Sequence, residues 1–347
     1  MTLSRTLRLL LALCLAPAAG TAQAAGEVVR GRVVPADGAV PAGLVAVLRV
    51  GARADTAAVD SAGAFVLPRP LGLADSVELV VDAGDVEARA YHPALVRVPA
   101  REMAGEVEIV LVPRAWTIRG GRHAGTTVPV SVVKARTAVC AGCSSFYQRA
   151  QDPLRRDRYQ GWRLSAFPLR MAFDREDARP AGAAPDSVAF WRIVEAMEDG
   201  FGGDLFRPAA VAETLPDDEN GPNDVVLVIM DSRLPIAALT NVLSRRGDVN
   251  YAAVRFQRRM QLSGDDGPRL VTHELMHALG MGHTCEWTSS LADLSRCPGL
   301  RSEQVTAADV AYTQLLYRVR EVQEATGARW AFDAALAGER RFILGLY

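Results

Sequence analysis

Histidine and cysteine are scarce in this chain, five of each in 347 residues, so chemistry that needs either side chain must come from wherever they cluster. Charge excess is missing as well. Lys and Arg number 39 against 40 Asp and Glu, and the resulting net charge of −1 offers no field to attract nucleic acid or an anionic membrane surface. Beyond the first residues, no stretch reaches the roughly 18 consecutive apolar residues that a membrane-crossing helix needs. Cys140 and Cys143 form a Cys-x-x-Cys without a second copy, which excludes the four-thiolate structural metal site built from two such pairs. Methionine is absent after Met281. What remains, 49% apolar and 23% charged residues, is ordinary globular composition, and the length has room for two domains plus a leader.

The leader is legible at the N-terminus. Arg5 and Arg8 precede the apolar stretch Leu9 to Leu15, and Ala22-Gln23-Ala24 supplies the small-x-small pattern of a signal-peptidase site. Residues 1–24 therefore read as a secretory signal, excluded from the fold, and the mature chain is expected in the periplasm or outside the cell. Cys14 does not make a lipoprotein site, because Leu13 stands where a small residue is needed.

Three of the five histidines fall in eleven residues, in the run His273-Glu274-x-x-His277-x-x-Gly280-x-x-His283. Chance produces such a match in a chain of this length with odds on the order of one in 10^5. On a helix, His273 and His277 project from one face and can bind one ion. Glu274 points elsewhere, where its carboxylate reaches water beside the metal, the position of a general base. Gly280 can take the left-handed conformation that ends a helix, which lets His283 return to the same ion. Three neutral imidazoles at about 2.0–2.1 Å leave a fourth position open to water, the pattern of a catalytic Zn2+ rather than a closed structural one.

These residues resemble the zinc signature of the metzincin metalloproteases, and Thr284 after the third His brings the run closest to the matrixin-like branch. Thr306 to Tyr317 is similar to the start of the last helix of matrixin-like catalytic domains, so the resemblance covers roughly residues 163–326. It implies a peptidase fold and a single catalytic zinc held by His273, His277 and His283. One departure is plain: the family places a Met in a tight turn beneath the zinc, downstream of the third His, and here no Met follows Met281. Leu291, preferred to Leu294, is the expected apolar substitute, since Leu and Met have similar volumes.

Without the leader, four cysteines remain, an even count that in an exported chain reads as disulfides with three possible connectivities. Cys285 and Cys297 flank the segment that should form the floor of the site, and bridging them is the favoured pairing, worth on the order of 3 kcal/mol for so short a loop. Cys140 and Cys143 read more simply as a local disulfide than as a redox pair or a thiol that blocks the zinc.

The remaining pattern sets the expected fold class: α+β, a mixed sheet with long helices, preceded by a small all-β sandwich. Residues 25–113 carry short β-rich runs (Val28 to Val34, Gly43 to Val50, Ala64 to Leu67, Ser76 to Val81, Glu106 to Val112) separated by Pro, Gly and Asp turns. They resemble the regulatory β-sandwich found beside carboxypeptidases. Residues 114–162 read as an irregular linker with a solvated basic face. In the expected catalytic domain, 163–326, Phe167, Leu169, Met171 and Phe173 alternate as in a half-buried strand. A helix follows with the stripe Val188, Trp191, Val194, Met197 and Phe201, then a strand from Val225 to Met230 buried on both faces. Asp248 to Gln257 reads as an edge strand with a bulge at Ala252-Ala253, suited to binding an extended peptide by strand addition. Ser263 to Pro268 starts the metal helix, Thr306 and Asp309 cap the last one, and 327–347 form a helical tail.

Two weaker motifs complete the reading. Asp217 to Asp224 clusters oxygens that suit Ca2+ but lacks the spacing of a known calcium loop. Arg246-Gly247-Asp248 spells an adhesion tripeptide, a match too short to carry weight. The expectation is a secreted zinc endopeptidase with a protein or peptide substrate; the competing one is a weak or inactive relative that works as a binding module through its β-sandwich.

Overall fold

The computed structural model describes residues 28–69, 76–83, 90–92, 94–99, 103, 105–130, 161–173, 184–209, 224–245, 248–258, 261–283, 289–292, 302 and 304–327. The expected signal segment, the four cysteines of the mature chain, Leu294, the tail beyond Gly327 and all of the calcium candidate except Asp224 lie outside these residues. Among the described residues, mixed sheets and three helices give the chain α+β content.

The N-terminal part is a pair of sheets around one apolar cluster. Its strands are β1 (Val28–Pro35), β2 (Leu44–Val50), β3 (Arg53–Ala58), β4 (Ala64–Pro68), β5 (Ser76–Ala83), β6 (Ala94–Pro99) and β7 (Glu106–Leu111). One sheet has the order β4-β1-β7, with β1 parallel to β7; the other is β3-β2-β5-β6, antiparallel throughout. The alternation in β1 sends Val29 and Val33 inward to meet Leu44, Leu48, Leu79, Val96 and Ile109, all nearly or fully buried. Gly31 in the same inward row lies under the ring of Phe65, where a Cβ would meet ring carbons. The patterned runs became strands, while β3 and β6 were not foreseen: Arg-Ala-Asp-Thr-Ala-Ala has low β-propensity.

The first part of the expected irregular linker is ordered. Strands β8 (Ala115–Thr117) and β9 (Thr127–Pro129) pair as a hairpin, and Trp116, Ile118 and Val130 are buried in the same cluster as the residues around the histidine run. Arg122 at its tip donates to Gln304, and His123 Nε2 lies 3.1 Å from the Val305 carbonyl.

The second part is built on a six-stranded sheet. Its elements are β10 (Gly161–Trp162), β11 (Leu169–Phe173), helix α1 (Ala184–Phe201), β12 (Phe206–Pro208), β13 (Val225–Asp231), β14 (Ala238–Arg245), β15 (Asp248–Gln257), helix α2 (Gly267–Ala278) and helix α3 (Ala307–Thr326). The order is β10-β15-β13-β11-β12, all parallel, with β14 added antiparallel along β15. As the unbroken apolar run required, β13 is buried on both faces, with Val226 and Val228 on one side and Val225 and Leu227 on the other.

Three sequence expectations change here. β11 is not half-buried, since Ala172 is as buried as Leu169 and Met171 but belongs to the cluster on the opposite face of the sheet. β15 is an interior strand whose Ala252 and Ala253 are covered on both faces. Among the described residues the edge is β14, and the register shift opposite Leu243 and Ser244 leaves Asn250 of β15 as the extra residue, so the bulge lies on β15 but two positions before Ala252. In α1 the inward stripe is Phe190, Val194, Met197 and Phe201, whereas Val188 is exposed.

Helix α3 forms for the expected local reasons. Thr306 is its N-cap, its side chain accepts from Asp309 N–H while the Asp309 carboxylate accepts from Thr306 N–H, and Gly327 closes the helix in the left-handed conformation. Asp248 of the adhesion-like tripeptide is engaged elsewhere, in an ion pair of 2.7 Å with the buried Arg320 of α3.

Candidate metal centre

Helix α2 carries the first two histidines. Pro268 opens its first turn, and Val271, Leu275 and Ala278, with Leu279 just beyond, are fully buried, which fixes the helix's rotation. His273 and His277 then share the remaining face. At the end of the helix Gly280 has φ 90°, a conformation that strains any side chain, and its N–H donates to the His277 carbonyl. The chain reverses and His283 comes back.

The three Nε2 atoms converge at 3.1 Å (His273 to His277), 3.1 Å (His277 to His283) and 3.2 Å (His283 to His273). An ion about 2.0–2.1 Å from each nitrogen in tetrahedral geometry separates them by about 3.3–3.4 Å, close to what is found. The protonation pattern points the same way. His273 Nδ1 lies 2.7 Å from the Ser290 carbonyl and His277 Nδ1 lies 2.7 Å from the Met281 carbonyl. A carbonyl only accepts, so each neutral ring holds its proton on Nδ1 and turns an Nε2 lone pair to the centre. Lone pairs this close repel unless a cation lies between them. The triad can hold a metal ion, and imidazole suits zinc, copper, iron or nickel.

Burial grades across the site: His273 is buried, His277 half-buried and His283 exposed, so access is from the His283 side. Glu274 is 5% exposed and sits beside His273 on α2. Thr240 of β14 reaches it, with Oγ1 at 2.6 Å from Oε2 and 3.0 Å from the Glu274 carbonyl. β14 thus runs directly alongside the metal helix.

The segment Ser289 to Ala292 meets the site through the Ser290 carbonyl, which accepts from His273 Nδ1. Leu291 is fully buried in the same cluster as Leu275 and Met276. The buried Asp309 holds this segment from α3: its Oδ1 accepts from Ser289 Oγ and its Oδ2 from Ser290 N–H, at 3.0 Å for the latter. The same carboxylate caps α3, so one side chain ties the helix start to the loop whose carbonyl orients His273. Cys285 and Cys297 lie outside the described residues.

Two supports were not foreseen. Trp162, one residue before the expected domain start, is fully buried and donates from Nε1 to the Ala278 carbonyl at 2.7 Å, while the Tyr317 hydroxyl donates to the Leu279 carbonyl at 2.8 Å. Together they satisfy carbonyls that a helix end leaves open. Burial pushes the Tyr317 phenol well above its usual range, which keeps it a donor. A lone Trp just ahead of a strand pattern was the only available hint. Asp309 was legible as a cap but not as a brace, because the second role needs contacts across nearly 20 residues.

Set against family models, curated proteins and solved structures, the chain matches none of them.

Proposed function

We propose that this chain is an exported zinc endopeptidase of the metzincin type, with a matrixin-like catalytic unit behind a β-sandwich of the carboxypeptidase-regulatory kind. The observation that carries this reading is the convergence of three Nε2 lone pairs beside a carboxylate that belongs to none of the ligand positions. A closed structural site has no use for such a base. Bound zinc supplies a Lewis acid that activates water and polarises a carbonyl.

The chain's own residues do the rest. His273, His277 and His283 hold the ion, the first two fixed in rotation by the Ser290 and Met281 carbonyls, as second-shell acceptors commonly fix metal-bound imidazoles. Glu274 takes a proton from the attacking water and delivers it to the leaving amine. Leu291 replaces methionine as the apolar floor. Among the described residues no strand pairs with the outer side of β14, and an extended peptide adds there by backbone hydrogen bonds. This role passes to β14 from β15.

Incubation of an unfolded protein with the purified chain, with and without a zinc chelator, tests the reading. Chelator-sensitive cleavage at internal peptide bonds is expected; the absence of cleavage by zinc-loaded protein would refute it.

A further inference from the structure

We infer that Thr240 is a positioning residue for Glu274, so that the edge strand sets the orientation of the base. The inference rests on the peptidase reading for its use but not for its geometry.

The inward row of β14 is Ala238, Thr240 and Val242, all half-buried, and the two apolar members pack against the main core. A Val at the middle position would fill the same space. The hydroxyl is the part that packing does not require, and it stands at 2.6 Å from Glu274 Oε2. Its one proton has a second acceptor in reach, the Glu274 carbonyl at 3.0 Å, but a carboxylate makes the shorter and stronger bond. Glu274 is 5% exposed, and in so dry a setting a hydrogen bond to a charged group is worth more than at the surface. The bond fixes the rotation of the carboxylate about its last torsion, which is otherwise broad. Because Thr240 lies on the strand that would pair with an extended peptide, any displacement of that strand on docking moves the base with it.

The test compares wild type with Thr240→Val, which keeps shape and removes the hydroxyl, and Thr240→Ser, which keeps the hydroxyl. Three quantities are read on full-length protein: zinc affinity by chelator competition, affinity of the zinc-loaded protein for acetohydroxamate, and kcat and KM on an unfolded, alkylated protein. Acetohydroxamate chelates zinc and hands a proton to a neighbouring carboxylate, so it reports the orientation of Glu274 without turnover. Thr240→Val is expected to bind acetohydroxamate about tenfold more weakly and to lose about tenfold in kcat, with KM and zinc affinity within threefold of wild type. Thr240→Ser is expected to recover most of both losses. Wild-type binding of acetohydroxamate by Thr240→Val, no recovery in Thr240→Ser, or no acetohydroxamate binding by zinc-loaded wild type would each overturn the inference. If wild type binds acetohydroxamate but cleaves nothing, the peptidase reading fails while the binding arm still decides the role of Thr240.

Discussion

His273 Nδ1 donates to the carbonyl of Ser290 at 2.7 Å, and Ser290 is itself held by the buried carboxylate of Asp309 through its N–H at 3.0 Å. The metal site and the start of helix α3 are therefore one mechanical unit. A ligand's rotation is set by a residue more than thirty positions downstream.

Asp309→Asn puts an amide where four donor contacts arrive, from Ser289 Oγ, Ser290 N–H, Thr306 N–H and Thr306 Oγ1. The amide keeps only one acceptor oxygen for these contacts and loses the charge that strengthens them. The variant is expected to lose about 2–3 kcal/mol of stability and roughly 10–100-fold in zinc affinity, measured by denaturant unfolding and by chelator competition. Ser290→Ala is the control: among the described residues the buried Ser290 hydroxyl has no hydrogen-bond partner, so its removal is expected to be neutral or mildly stabilising, with zinc affinity unchanged. A large loss in Ser290→Ala would mean that the side chain, and not the carbonyl, sets the floor.

The floor itself is tested at Leu291, which is fully buried. Leu291→Met is expected to cost less than about 1.5 kcal/mol and to bind zinc normally, whereas Leu291→Asp places a carboxylate in the core and is expected to abolish zinc retention. Equal zinc affinity in both variants would remove Leu291 from the site.

Gly280 has φ 90°, so Gly280→Ala is expected to cost about 1–3 kcal/mol through backbone strain. The strain falls on the reversal that returns His283, and zinc affinity should drop with it. Thermal unfolding of metal-free and zinc-loaded protein separates the two effects: zinc should raise the melting temperature of the variant less than that of wild type.

His92 gives a pH prediction away from the metal. Its ring is buried and Nε2 lies 2.8 Å from the Val130 carbonyl. Burial holds its pKa below the ordinary histidine value, opposed by the bond to Val130 and aided by the charge of Arg114. With the folded pKa depressed, the stability this group contributes is fully present above the ordinary histidine pKa and is lost as pH falls through the lower, folded value. The melting temperature of wild type should therefore fall more steeply than that of His92→Gln as the pH is lowered through the weakly acidic range.

Much of this site was legible because it is local. The spacing of His273, His277, Gly280 and His283 encodes a helix, a stop and a return, and Thr306 with Asp309 encodes a cap, each within a dozen residues. The edge strand was not legible, because Ala-Leu-Thr-Asn-Val-Leu-Ser-Arg alternates weakly and its pairing with β15 is broken by a register shift. The adjacent β15, more apolar, drew the edge assignment although its apolar character comes from burial on both faces. Trp162, Tyr317 and the Asp309 brace depend on contacts far apart in sequence, which no short pattern carries. The β8–β9 hairpin was hidden for a similar reason: Trp116 and Ile118 bury against the second unit, and their own segment has too few apolar residues to announce a strand.

The central claim, a catalytic zinc with Glu274 as its base, is tested most directly by Glu274→Gln, with bound zinc quantified by elemental analysis and cleavage of an unfolded protein followed by mass spectrometry. The account predicts one zinc per chain in both wild type and variant, internal cleavage by wild type, and a rate at least about a hundredfold lower in the variant. Cleavage by Glu274→Gln at the wild-type rate, or zinc-loaded wild type that leaves the substrate intact, would contradict it.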